Sequence, residues 1–78
     1  MKVYILIVDP NDYDTDPYIY SVYSTKDKAI SAIQTAAIEN GEPALLLSCD
    51  YDTWEYADCY HYPDYENSRY YIHECTVE

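Results

Sequence analysis

Apolar side chains occupy both alternating sets of the segment Lys2–Asp9, with Val3, Ile5 and Ile7 on one and Tyr4, Leu6 and Val8 on the other. A run of this kind without a breaker predicts a central β-strand with apolar contacts on both faces. Asp9-Pro10-Asn11-Asp12 has turn chemistry and Pro17 closes the loop, after which Tyr18–Tyr23 alternates Tyr with Ile and Val. The two strands are expected to form a hairpin.

The hydrophobic period changes at Ser24. Ala29, Ile30, Ile33, Ala36 and Ala37 recur at three- and four-residue spacing, which predicts a helix over 25–39 with Ile30 and Ile33 facing the sheet. Ser24 is the expected N-cap, with Asp27 answering its N–H, and Asn40-Gly41 is the left-handed stop. Lys26 and Lys28 fall in the first turn, where positive charge opposes the helix dipole by about 0.3–1 kcal/mol each.

Beyond Pro43, residues 44–49 read as a short buried strand and 53–60 as another, with Trp54, Tyr56, Asp58 and Tyr60 on one face. Residues 62–68 hold Pro63, Asp64 and Asn67 and should turn before a last strand over 69–77. The expected fold is α+β: one antiparallel β-sheet with one α-helix packed on a face, in the order ββαβββ. No Gly/Ser linker divides the chain, so 1–78 is expected to be a single domain. The tetrapeptide Asp-Tyr-Asp-Thr occurs at 12–15 and again at 50–53. A helix follows the first copy but not the second, so the repetition reads as convergent turn composition.

Charge sets the class of partner. Fifteen Asp and Glu against four Lys and Arg give a formal charge of −11, a field that repels nucleic acid and anionic membrane and attracts a basic protein surface. Apolar residues make up 49% and Tyr contributes 12, so the chain should fold rather than remain an acidic tail. The apolar run Val3 to Val8 is too short for a signal h-region or a membrane span. Cys49, Cys59 and Cys75 form an odd count without tight spacing, so reduced thiols and a cytoplasmic location are expected. A domain of this length buries only about 60–65% of its unfolded surface, which favours a binding surface over an enclosed active site.

Three constellations could carry chemistry. Asp12, Asp14 and Asp16 stand at alternate positions as in the opening of an EF-hand loop, but Pro17 takes the place of its Gly and Tyr23 that of its bidentate Glu. Two readings remain: a solvated acidic turn, or a row of anions repeating at about 6.6 Å in extended chain, comparable to the step between neighbouring phosphates. Next, Cys59 and His61 mirror His73 and Cys75. A turn at 66–68 would set Cys59 opposite Cys75 and His61 opposite His73, a zinc-type ligand set. Flat cross-strand pairs seldom enclose an ion, so packing cysteines and half-exposed histidines are the preferred reading, and no metal or cofactor is expected. The Cys–His pairs have no helix start or Gly-rich turn beside them, and a single Gly excludes a phosphate-cradling loop; no enzyme activity is expected.

The third constellation is aromatic. With no Phe in the chain, Tyr must supply much of the core, and part of the set Tyr18, Tyr20, Tyr51, Trp54, Tyr56, Tyr60, Tyr62, Tyr65, Tyr70 and Tyr71 is thereby accounted for. The remainder suit an interface in which neighbouring acids pair with Arg and Lys of a nucleic-acid-binding groove. Asp50, Asp52, Trp54, Glu55, Tyr56 and Asp58 are the first candidates for such a partner-binding surface, with Asp12, Asp14 and Asp16 second. Direct binding of nucleic acid is not expected, because stacking on Tyr would need a positive groove to follow the phosphates.

The stretches "MKVYILIVDP", "VYSTKDKAISAI" and "RYYIHECTVE" resemble a group of small phage and prophage proteins in which a first strand, a strand running into a Ser/Thr-capped Lys/Ala helix and a final aromatic strand recur. In acidity and size the chain also resembles anti-CRISPR proteins and DNA-mimic inhibitors. Residues 49–68 depart from the group's pattern and are far richer in Tyr, so what is particular to this protein is expected there. The resemblance implies an inhibitor encoded by a phage or mobile element. Such an inhibitor would act in the host cytoplasm by occupying the basic nucleic-acid-binding surface of a host defence protein, such as a CRISPR effector subunit. The alternative is a phage structural or regulatory interaction module without mimicry, a homodimer through its aromatic sheet.

Overall fold

The computed structural model describes residues 1–10, 12–43, 47–63 and 67–78. Strands β1 (Lys2–Asp9) and β2 (Tyr18–Tyr23) precede helix α1 (Lys26–Glu39), and β3 (Ser48–Asp52), β4 (Ala57–His61) and β5 (Arg69–Thr76) follow. The strands form one antiparallel sheet in the spatial order β2-β1-β5-β4-β3. The α+β class and the order ββαβββ therefore stand as read from the sequence.

Pairing along all of β1 and β5, from Lys2↔Thr76 to Asp9↔Arg69, makes these two long strands the spine of the sheet. Leu6, Val8, Tyr70 and Ile72 point from it towards α1 and pack with Ala29, Ile33, Ala36 and Ala37. Full burial of a large apolar side chain contributes about 1.5–3 kcal/mol, so this layer is the main source of stability. A bulge between Leu6 and Ile7 leaves Tyr20 without a partner in β1, which turns Tyr20 and Ser21 to the same side. The Tyr20 hydroxyl then reaches Glu39 at the end of α1, 2.8 Å away.

The opposite face of β1, with Val3, Ile5 and Ile7, has no helix over it among the described residues. Ile7 packs there against a second, smaller buried cluster of Ala57, Cys59 and Tyr71, so the strand expected to be covered on both faces is covered fully on one and in part on the other. These three side chains are half-buried among the strand neighbours, and Ile19 and Val22 of β2 beside them are exposed.

Helix α1 begins one residue later than the sequence suggests. Thr25, not Ser24, is the N-cap: its backbone is extended, and its hydroxyl accepts the Lys28 N–H at 3.3 Å. At the other end Gly41 adopts φ +72°, and the Gly41 and Glu42 N–H groups return to the carbonyls of Ile38 and Ala37. This closure needs the left-handed conformation that glycine adopts without strain. Ile33 is 1% exposed as expected, but Ile30 is 37% exposed and lies at the margin of the helix face.

The segment after the helix is pinned to β5. Glu42 accepts the Tyr70 hydroxyl at 2.7 Å and the Ser68 N–H at 2.6 Å, and the Tyr62 hydroxyl donates to the Pro43 carbonyl. Burial and the Glu42 carboxylate both hold the Tyr70 phenol far above its ordinary pKa, so it remains a donor.

The second half of the sheet corrects four expectations. The strand expected over 44–49 is β3 at Ser48–Asp52, mostly exposed; residues 44–46 lie outside the described ones. The strand expected over 53–60 is shorter, because Thr53, Trp54, Glu55 and Tyr56 form the turn into β4. Asp52 closes its own turn with a side-chain bond, and a short strand pair with a four-residue connection results. The expected pairing of β4 with β5 is also displaced: Cys59 faces Tyr71, and Cys75 lies beside Val3 of β1. The last strand ends at Thr76 rather than 77. The turn expected over 62–68 falls partly on residues 64–66, outside the described ones.

Candidate functional site

The tip of the β3–β4 hairpin is built by Asp52. Its Oδ1 accepts the Trp54 N–H at 2.8 Å and the Glu55 N–H at 3.2 Å, the local side-chain closure that lets Asp substitute for a backbone turn. Tyr56 completes the turn at φ +54°, a left-handed conformation that costs an L-residue roughly 1–2 kcal/mol. The consequence is display: Trp54 is 91% exposed and Tyr56 78% exposed. Trp54 and Tyr56 therefore sit in a turn, not on a strand face with Asp58 and Tyr60.

Tyr51, also exposed, extends the aromatic surface down β3. Alternation along β3 then separates the carboxylates. Asp50 pairs with Cys59 and Asp52 with Ala57, on the sheet face away from the helix, while Asp58 lies on the helix face with Tyr60 and ion-pairs with Lys26. The six first candidates thus form a tip and two opposite flanks, not one continuous surface.

On the flank away from the helix, Asp50, Asp52, Thr53, Cys59, His61 and Arg69 line a shallow cavity of about 330 Å³. The His61 Nε2 lies 2.7 Å from Asp50 Oδ2, and its Nδ1 lies 3.1 Å from the Tyr62 carbonyl. Both ring nitrogens face acceptors, so only the imidazolium satisfies both. The Asp50 bond, followed by the Tyr62 carbonyl, accordingly raises the His61 pKa. Burial pushes the Cys59 thiol up, the direction that suppresses thiolate chemistry. This cavity joins a histidine, a carboxylate and a thiol, but the thiol is poorly prepared to act as a nucleophile.

Comparison with protein-family models, curated proteins and solved structures finds no match to the chain. The site is therefore read from its own geometry.

The structure does not bring Cys59, His61, His73 and Cys75 together. His73 pairs with Ile5 and Cys75 with Val3, beyond the part of β5 that β4 reaches, and among the described residues no cluster of three or more His, Cys, Asp or Glu has metal-binding geometry. The register missed in the sequence depended on where the turn after β4 sits, which Pro63 obscures.

The first Asp-Tyr-Asp-Thr copy forms a small turn of its own. Asp12 pairs with Thr15 in an isolated bridge and accepts the Asp14 N–H at 3.1 Å. Asp12, Asp14 and Asp16 are all exposed, as is Tyr13 at the turn's apex. Both copies thus use their first or second Asp to shape a turn and leave an aromatic ring in solvent.

Sequence reasoning missed the role of Lys26. Its first-turn charge is unfavourable for the helix but is answered by Asp58, far away in the chain and near in space, an ion pair that no local pattern signals. Among the aromatics the division is clear: Tyr62, Tyr70 and Tyr71 are buried, Tyr20 and Tyr60 pack partly against the core, and Tyr18, Tyr51, Trp54 and Tyr56 are exposed. Tyr65 lies outside the described residues.

Proposed function

We propose that the protein is a binding module that inserts the Trp54–Tyr56 tip into a basic, nucleic-acid-binding surface of another protein and thereby blocks it. In the narrowest form, suggested by the resemblance to phage inhibitors, the partner is a host defence protein such as a CRISPR effector subunit. The observation that carries this reading is the nearly full exposure of Trp54 beside Glu55 and a strained Tyr56, on a chain of net charge −11. Exposed Trp and Tyr are the residues from which binding hot spots are made, and the acidic field steers them to a basic surface.

Competition tests the reading. The partner, once loaded with this protein, should lose its DNA or RNA, and association should slow steeply as salt rises. A loaded partner that still takes nucleic acid at full affinity overturns blockade. A second reading, a homodimer without mimicry, draws on the exposed Ile19 and Val22 beside Val3, Ile5 and Ile7 on the sheet face away from the helix. Sedimentation at high protein concentration distinguishes it, since salt screens the repulsion between two copies of charge −11 and so does not weaken an apolar dimer.

A further inference from the structure

On the helix face of the sheet, α1 covers β2, β1 and β5 but stops short of β4 and β3. The gap is a groove of about 300 Å³ lined by Tyr4, Lys26, Tyr51, Tyr56, Asp58 and Glu74, with Ile72 beneath and Ala57 at its edge in β4. Ile72, whose side chain lies on the helix face, is 3% exposed, so the floor is apolar. Three phenol rings and two carboxylates surround it.

We infer that this groove receives one arginine side chain of the basic partner, its guanidinium held by Glu74 and Asp58 and its plane against Tyr51 and Tyr56. The inference rests on the proposed docking of the hairpin tip on a basic surface, and it names the chemistry of one contact. Tyr56 belongs to both tip and groove, so docking the tip brings the partner's side chains to the groove mouth. The groove has room to spare for one long side chain, and it is small for a helix or strand.

The chain itself shows that the groove holds a cation. The Lys26 ammonium ion-pairs with Asp58 there, and this contact raises its pKa. Glu74 Oε1 is 3.4 Å from the Lys2 ammonium and accepts the Tyr4 hydroxyl at 3.2 Å, which ties the carboxylate to another residue of the groove's lining. Lys26 and Lys2 are about half exposed, so both are free to swing towards water when a better cation arrives. Arginine is better suited than lysine: its flat guanidinium stacks on phenol rings and forks onto carboxylate, whereas ammonium is more strongly hydrated.

The test uses the isolated protein and a small probe, so its outcome is independent of any partner. Backbone amide NMR shifts are followed during titration with N-acetyl-arginine amide and, separately, with the uncharged isostere N-acetyl-citrulline amide. The arginine probe should produce saturable shifts at Tyr51, Tyr56, Ala57 and Ile72, and the citrulline probe should not. Lys26→Met removes the internal competitor and should tighten the probe, while Tyr51→Ala should weaken it by about fivefold. Shifts scattered over the acidic surface, equal shifts with citrulline, or a Lys26→Met variant no tighter than the parent each overturn the groove. Such a failure leaves blockade to its own competition test, and failure of that competition leaves the probe result intact.

Discussion

Asp52 and Trp54 are joined by a hydrogen bond of 2.8 Å, from the Trp54 backbone N–H to Asp52 Oδ1. The bond runs from the base of a turn to its most exposed ring, so the carboxylate that appeared suited to a partner is already occupied in shaping the surface. Charge and turn geometry at Asp52 are separable by substitution. Asp52→Asn keeps the accepting oxygen and should leave the tip and partner binding largely intact. Asp52→Ala removes it and should lower stability by about 1 kcal/mol and raise the off-rate, because Trp54 is no longer preset. Denaturant midpoints and partner kinetics for the two variants check this; equal loss in both would make the charge itself the contact.

Tyr56 offers a contrast between stability and binding. Its φ of +54° is relieved in Tyr56→Gly, although glycine also gains freedom in the unfolded chain. The expected net gain is about 0.5–1 kcal/mol, read as a higher urea midpoint, together with weaker partner binding. Strain retained at an exposed ring is intelligible when the ring is used. A destabilised Tyr56→Gly would show instead that the ring is held by packing in the groove.

The His61–Asp50 pair sets a pH dependence whose sign follows from the raised His61 pKa. A group with a folded pKa above its unfolded value of about 6.5 stabilises the fold fully below that value, and the contribution is lost as pH rises through the folded pKa. Arg69, in the same cavity, opposes the shift and does not reverse it. The stability difference between the protein and His61→Gln should therefore be larger near about pH 6 than near about pH 9. A difference that widens with pH would place His61 away from Asp50.

Ile30 and Ile33 show how far a helical period determines packing. Both satisfy the three- and four-residue spacing, yet only Ile33 is enclosed by sheet and helix. Ile33→Ala should cost about 2–5 kcal/mol, enough to unfold much of a small domain, whereas Ile30→Ala should cost less than about 1 kcal/mol. Thermal unfolding of the pair measures the difference.

What was legible in the sequence were elements set by local chemistry. The alternation of β1 and β2, the period of α1 and the stop at Asn40-Gly41 each carry their cause within a few residues. Residues 48–61 were read with one strand too long, because Thr53 to Tyr56 have strand-like composition and only the Asp52 side chain, bonding two and three residues ahead, makes them a turn. The β4–β5 register was equally hidden, since pairing across a Pro-containing loop follows from the loop's length and the contacts of Tyr62 and Tyr70. The candidate site suffered accordingly: its residues were chosen from the right stretch, but their division between two sheet faces and the contribution of Tyr4, Lys26 and Glu74 needed the sheet order.

Glu42 tests whether the hairpin is carried by the core or by the connection leading to it. Its two carboxylate oxygens accept from Tyr70 and Ser68, and both donors are buried. Removing the acceptor strands the Ser68 N–H and leaves the Tyr70 hydroxyl only its contact with Asn40, at about 1–3 kcal/mol per stranded group. Glu42→Ala should therefore lower stability by about 2–3 kcal/mol, since some relaxation towards water is available at the partly exposed Glu42 position. Glu42→Gln, which keeps one accepting oxygen, should fall between. The two effects also differ in place: hydrogen exchange should accelerate first at Ser68 and Tyr70, where β5 begins, and only later at Leu6 and Ile33. Uniform acceleration across the sheet and helix would mean that Glu42 supports the fold as a whole, and that the connection and the β4–β5 pairing do not open separately from the core.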